Sequence, residues 1–132
     1  MALNPVINPR LERGILIECK NYKAAVDVTY IGKFYSLLKV SKQNAGILVA
    51  WKGVTGGTDW KNGYGLIRKI ALRDNLYIIV LDKNDLKVVV NQQLSIFKLL
   101  NKKIEELDLD VKFDSAFTQQ HELLEKFKDD NG

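Results

Sequence analysis

Glu18 and Lys20 are separated by a single residue, Cys19, at the end of the apolar stretch 15–17. Side chains alternate between the two faces of a strand, so Glu18 and Lys20 point one way and Cys19 the other, as a small core residue. A carboxylate and an ammonium at the end of a buried strand are costly unless they pair, bind a metal or meet solvent in a cleft. The two residues are therefore a candidate site, with a structural ion pair as the alternative.

Several other kinds of chemistry are excluded by composition. The chain has one cysteine, Cys19, and one histidine, His121. An intrachain disulfide needs two cysteines. A structural zinc site is improbable with so few ligands, and a Ser-His-Asp triad or a Cys-His dyad is improbable with a single histidine as the base. Any chemistry must therefore run on carboxylates, lysines and a hard metal ion.

Alternating strands and helices must position these residues. The apolar pattern predicts strands over 14–20, 45–51 and 76–81. Between them, Asp27 is the expected N-cap of a first helix with Val28, Ile31, Phe34 or Tyr35 and Leu38 inward, and a second helix is expected from Asp59 to Asp74. The order strand, helix, strand, helix, strand predicts an α/β domain with a largely parallel central sheet.

The ends of the chain are less regular. Residues 5–9 could form a short partner strand, weakened by two prolines, and 85–90 fit either a strand or a helical turn. Two more helices are expected, separated by the acidic segment 105–110. The first carries Phe97, Leu100, Ile104 and Leu107, and the second carries Phe113, Phe117, Leu124 and Phe127 as a core or dimer face.

The composition indicates one soluble domain. Of 132 residues, 46% are hydrophobic and 27% charged, and no apolar run is long enough to span a bilayer. The start of the chain lacks the pattern of a signal peptide, which predicts a cytoplasmic location. Residues 1–75 carry a net charge of +7 and residues 76–132 a net charge of −3. The basic half contains the candidate site and favours a phosphate-bearing ligand such as nucleic acid, with a merely solvated basic surface as the alternative.

The stretch 14–22, continuing through Val26-Asp27 into a helix and then into 46–49, resembles the PD-(D/E)XK nuclease superfamily. Its closest likeness is to the Mrr-like restriction endonuclease catalytic domain, over roughly residues 14–90. The resemblance implies a restriction-endonuclease-like mixed sheet flanked by helices. We expect that domain to cover residues 1–110, followed by a helical extension over 111–132.

The resemblance also implies a site and a reaction. Glu18 matches a metal ligand, the backbone carbonyl of Cys19 a further ligand, and Lys20 the group that orients the attacking water or stabilises phosphorane charge. The metal would be Mg²⁺ or Mn²⁺, with Asn4 as a weak extra ligand, and the substrate DNA. The lysines expected to contact its backbone are Lys23, Lys33, Lys52 and Lys61.

One family residue is missing from the sequence. The family places an aspartate on the preceding strand, and no aspartate precedes Asp27 here. Glu12 lies close to the turn before the strand. Two interpretations remain open: a truncated N-terminus, or a degenerate nuclease. The sequence thus predicts a metal-dependent DNA endonuclease domain or, alternatively, a catalytically inactive nuclease-fold module that binds nucleic acid or a partner protein. A homodimer through the C-terminal helices is also expected.

Overall fold

The computed structural model describes residues 8–12, 14–56 and 61–131. Within the last range, the side chains of 118, 120–125 and 127–131 are not described. A 3₁₀ turn over Pro9–Leu11 precedes three strands and four helices, which alternate except that the last two helices follow each other. The elements are β1 Leu16–Lys20, α1 Val28–Val40, β2 Ala45–Ala50, α2 Gly63–Asp74, β3 Tyr77–Leu81, α3 Lys83–Asn91 and α4 Ile96–Asn131.

The three strands form one sheet in the order β1-β2-β3, and all described pairings are parallel. Leu16 is opposite Gly46, and Ala45 is opposite Tyr77. Each strand therefore returns through a helical crossover, as parallel pairing requires. The α/β class and the parallel centre of the predicted restriction-endonuclease-like sheet are confirmed.

Helix α1 begins where the sequence predicts. The Asp27 side chain accepts a hydrogen bond from the Tyr30 backbone N–H at 3.1 Å, which satisfies one of the free donors of the first turn. Ile31, Phe34 and Leu38 are fully buried against the sheet. A Cβ atom on Gly46 would lie 2.8 to 2.9 Å from Phe34 and Leu38, so the close approach of α1 to β2 depends on this glycine.

Strand β3 is an edge strand of the described sheet, but it is largely buried because α3 and α4 pack against it. Leu99, Leu100, Ile104 and Leu107 supply the buried face of α4. Residues 85–90, which by sequence fit either a strand or a helical turn, are part of helix α3. This helix begins at a capping box formed by Asp82 and Asp85.

Two predictions of the element pattern are wrong, and a third lies mostly outside the described residues. The two C-terminal helices are the single helix α4, because the acidic segment 105–110 is itself helical. The second helix begins at Gly63, while Asp59 lies outside the described residues. Of the predicted partner strand, residues 5–7 lie outside the described residues and Pro9 begins the 3₁₀ turn.

The burial of β1 also differs from the prediction. Leu16, Glu18 and Lys20 are half-buried, whereas Ile17 is 58% exposed and the Cys19 side chain is exposed. The alternation of faces is as predicted, but Cys19 is not a core residue. The apolar residues of α1 pack on the face that carries Glu18, so the opposite face of β1 is the open one.

Candidate functional site

The ends of the three parallel strands lie at one edge of the sheet. The Trp51 N–H, just after β2, donates to the Lys20 carbonyl at 3.4 Å, and the Lys83 N–H, just after β3, donates to the Trp51 carbonyl at 3.2 Å. The carboxyl edge therefore brings Lys20, Trp51 and Asp82 into one row. Ligands of parallel α/β sheets bind at this edge in general.

Glu18 faces helix α1 and contacts a tyrosine there. The Tyr30 hydroxyl donates to Glu18 Oε2 at 3.4 Å, a long hydrogen bond. Burial, followed by the negative charge of Glu18 and this hydrogen bond, raises the pKa of Tyr30 to about 12. Tyr30 is therefore a neutral donor at physiological pH, and it orients one oxygen of the Glu18 carboxylate.

Lys20 contacts aromatic rings. Its Nζ lies 4.9 Å from the centroid of the Tyr30 ring and 5.8 Å from that of Tyr22. Among the described residues, no ion pair within 4.0 Å joins Lys20 to Glu18. The Tyr30 hydroxyl thus contacts Glu18, and the Tyr30 ring contacts Lys20. Among the described residues, neither charge is used in an ion pair with the other.

The Cys19 carbonyl lies on the edge of β1 that faces away from β2. The Lys20 carbonyl points toward β2, where it accepts the Trp51 N–H. Successive peptide groups on a strand point to opposite sides, so the Cys19 carbonyl points away from β2. No described strand pairs with that side of β1. Within the described sheet this oxygen therefore accepts no ladder hydrogen bond, and it belongs to the residue that follows Glu18.

The oxygen donors at this edge fit a hard divalent cation. Mg²⁺ typically takes one or two carboxylates and keeps several waters, and backbone carbonyls also serve as oxygen ligands. Glu18 and the Cys19 carbonyl are therefore suitable but incomplete. Within the described part of the chain, no group of three or more His, Cys, Asp or Glu side chains is close enough to hold a metal ion.

The other proposed carboxylate and amide ligands do not complete the set. Asn4 lies outside the described residues. Glu12 borders a hollow with Asn44 and Asn75, which precede β2 and β3, so it lies at the amino edge of the sheet, opposite Lys20. None of the described residues that precede β1 supplies, at the carboxyl edge, the acid that the family resemblance calls for.

The four predicted DNA-contacting lysines are all exposed. Lys23 and Lys52 follow the ends of β1 and β2, and Lys61 precedes α2. The first residue of α2, Gly63, bonds to Thr55 in the loop after β2, so Lys61 also lies toward the carboxyl edge. Lys33 lies farther along α1. Three of the four thus share the edge at which Lys20 lies.

Two hollows border the carboxyl edge. One, of about 370 Å³, is lined by Cys19, Lys20, Asn21, Val49 and Trp51. The other, of about 310 Å³, lies between the loop after β2 and helices α2 to α4. In the second, Lys103 pairs with Asp85 at 3.0 Å. Burial opposes ionisation of Asp82, but hydrogen bonds from the Asp85 backbone and the charge of Lys103 lower the pKa of Asp82.

Tyr30 is the site residue that the sequence reasoning missed. It precedes Phe34 by four residues, so it lies on the same face of α1, one turn nearer the carboxyl edge. That spacing was a usable signal, because a tyrosine at the edge of a buried helix face brings a hydroxyl to the neighbouring strand.

Comparison with known proteins gives one positive finding. A family model described as restriction endonuclease, that of the Mrr catalytic domain, matches residues 6–86. This span covers more than half of the chain and includes Glu18, Lys20 and Tyr30. No curated protein and no solved structure matches the chain.

No helix in the described ranges has the length and apolar character needed to cross a membrane.

Proposed function

Because the chain belongs to the restriction endonuclease family of the Mrr catalytic domain, we propose that it is a divalent-metal-dependent endonuclease domain that hydrolyses phosphodiester bonds of DNA. The observation that carries the proposal is the placement of Glu18 and Lys20. Both lie on the same face of β1, both contact Tyr30, and Lys20 ends the strand at the carboxyl edge.

Each group has a distinct role in the proposed reaction. The Glu18 carboxylate and the Cys19 carbonyl would hold Mg²⁺ or Mn²⁺, which polarises a phosphate and makes a bound water more acidic. Lys20 would donate a hydrogen bond to the attacking water or to a phosphate oxygen that gains negative charge. Lys23, Lys52 and Lys61 would neutralise phosphates along the carboxyl edge, and Lys33 would contact the DNA backbone from its position farther along α1.

The test compares cleavage of a supercoiled plasmid by the wild type, Glu18→Gln and Lys20→Ala in Mg²⁺ or Mn²⁺. Each substitution should lower the rate at least about 100-fold, the usual cost of losing a group that stabilises transition-state charge. Glu105→Gln and Lys112→Ala are matched controls on α4, with an exposed acid and an exposed lysine. They should cleave as the wild type does, and equal rates in all five proteins would contradict the proposal.

The alternative function is that of an inactive nuclease-fold module that binds nucleic acid or a partner protein. The observation that favours it is that no group of three metal-ligating side chains occurs in the described ranges. It predicts salt-sensitive DNA binding that survives Glu18→Gln, with no cleavage in any divalent metal. Metal-dependent cleavage that Glu18→Gln abolishes would exclude this alternative.

We further propose a second copy of the chain as a partner for the outer face of α4, which bears the exposed side chains of Leu109, Phe113 and Phe117. This face points away from the body of the domain, because Ile104 and Leu107 on the other side of α4 are buried in it. Two copies could therefore pair through α4 with both domains on the outside.

A cytoplasmic location remains a prediction, suited to a nuclease that acts on cellular DNA.

A further inference from the structure

We propose that Tyr30 is a positioning residue that sets the geometry of both Glu18 and Lys20. Its hydroxyl donates to Glu18 Oε2 at 3.4 Å, and its ring lies 4.9 Å from Lys20 Nζ. One side chain thus contacts the two groups to which the nuclease reaction is assigned. This inference rests on the proposed function, since it concerns the same site.

The ring of Tyr30 is itself held in place from both sides. It stacks on Phe34, with ring centroids 6.5 Å apart and planes inclined by 10°, and Phe34 is buried in the core. The Tyr22 ring meets it edge-on at 6.3 Å. The position of the Tyr30 ring is therefore fixed by the core on one side and by the segment that follows β1 on the other.

The backbone of Tyr30 is fixed as well. Its N–H donates to the Asp27 side chain, the N-cap of α1, at 3.1 Å. The cap determines where the first turn of α1 begins, and the Phe34 stack determines how the ring is turned. Tyr30 therefore connects the N-terminus of α1 to Glu18 and Lys20 on β1 through direct contacts.

The hydroxyl and the ring have separable effects. By donating to Oε2, the hydroxyl restrains rotation of the Glu18 carboxylate and leaves Oε1 for a cation, which is how second-layer hydrogen bonds support metal ligands in general. The ring face attracts the Lys20 ammonium and holds it on the face of β1 that also carries Glu18. Tyr30→Phe removes only the first effect, whereas Tyr30→Leu removes both.

The experiment measures Mn²⁺ affinity by calorimetric titration without DNA, followed by kcat and KM for plasmid cleavage. Tyr30→Phe should raise the Kd for Mn²⁺ by about 10- to 100-fold, the usual effect of losing a hydrogen bond to a metal ligand. Tyr30→Leu should show the same loss of affinity and a further drop in kcat with KM little changed, because Lys20 is no longer held. Tyr35→Phe is the control, since Tyr35 lies on the same helix and bonds to Asp74 instead.

The outcomes separate this inference from the proposed function. A wild type that binds Mn²⁺, together with a Tyr30→Phe variant of equal affinity, would overturn the role of Tyr30 and leave the nuclease proposal standing. A wild type that binds no Mn²⁺ would overturn the metal site and the role of Tyr30 with it. Weakened binding by Tyr30→Phe in a chain that never cleaves DNA would support the role of Tyr30 and refute the nuclease. Urea unfolding of each variant separates loss of affinity from loss of folding.

Discussion

Glu18 has a phenol as its neighbour on helix α1. The Tyr30 hydroxyl donates a hydrogen bond to Glu18 Oε2 at 3.4 Å. The Glu18 carboxylate thus lies, oriented by this phenol, on the strand whose outer edge bears the Cys19 carbonyl. This is the charge that a divalent cation or a basic partner would complement.

Tyr77 illustrates how the same pairing of phenol and carboxylate acts on stability. Burial, followed by a hydrogen bond to Asp108, raises the pKa of Tyr77 to about 12. The Arg10 guanidinium also lies over its ring, 3.6 Å from the centroid. The phenol begins to ionise near pH 10 in the unfolded chain but stays neutral in the fold. Its contribution to stability is complete below about pH 10 and is lost as the pH rises toward 12.

Tyr77→Phe should therefore flatten the alkaline part of the stability profile. The variant loses the hydrogen bond to Asp108 and is less stable at neutral pH, but it has no phenol to ionise at this position. The free energy of unfolding in urea, measured at several values above about pH 9, should fall less steeply for Tyr77→Phe than for the wild type. Parallel profiles would show that the Tyr77 phenol ionises equally in both states.

At the scale of residues, the sequence pattern predicts that Glu18 and Lys20 share one face of a strand, but it does not predict which side chains surround them. The position of Glu18 and Lys20 on one face of a strand follows from the two-residue period of strands. The exposure of Cys19 could not be predicted, because the period does not tell which face a helix will cover. The role of Tyr30 could not be predicted, because it depends on a contact between two elements whose contacting residues, Glu18 and Tyr30, are twelve positions apart.

Helix α1 and strand β2 approach each other at Gly46, and this approach can be tested directly. A Cβ atom there would meet Phe34 at 2.8 Å and Leu38 at 2.9 Å, and both side chains are fully buried. Gly46→Ala should therefore destabilise the fold by about 1–3 kcal/mol, the usual cost of overpacking a core. The measurement is the free energy of unfolding in urea.

Gly32→Ala is the matched control for this substitution. Gly32 lies inside α1, and a Cβ atom there would meet nothing within 4 Å. The same chemical change should stabilise the helix by up to about 1 kcal/mol, because alanine is the better helix former. Opposite signs at the two glycines would establish the close contact at Gly46, whereas equal effects would argue against it.

At the scale of elements, the core of the fold was predictable and the C-terminal part was not. Strands β2 and β3 and the buried face of α1 follow from the period of apolar residues. The predicted division of α4 into two helices rests on the acidic run 105–110, but the helix continues through this run. Charged residues do not end a helix, and no glycine or proline occurs between residues 92 and 131.

The outward face of α4 changes character along the helix, and this change bears on the whole molecule. Its first half exposes charged residues, and from Leu109 onward it exposes Leu109, Phe113 and Phe117 at intervals of four residues. These three side chains offer roughly 350 Å² per copy for burial. An interface of twice this area is smaller than stable specific interfaces, which bury at least about 1,200 Å², so association should be weak and dependent on concentration.

Phe113→Glu should therefore reduce self-association measured by sedimentation equilibrium. A charge at the centre of the apolar stripe would have to be buried without a partner in a dimer. Lys102→Ala, on the charged part of the same helix, is the control and should leave association unchanged. A wild type that stays monomeric at all concentrations would contradict the dimer, and the nuclease proposal would be unaffected.

The parallel pairing of β1 with β2 has a consequence for the order in which the protein is made. Leu16 and Gly46 are partners although about 30 residues separate them, so no local hairpin can hold β1 in place. During synthesis the strand that bears Glu18 and Lys20 leaves the ribosome before β2, its only described strand partner, which follows a whole helix later. The nascent chain therefore presents β1 without this partner until β2 has emerged, and a chaperone that binds extended apolar segments would meet the candidate site before DNA does.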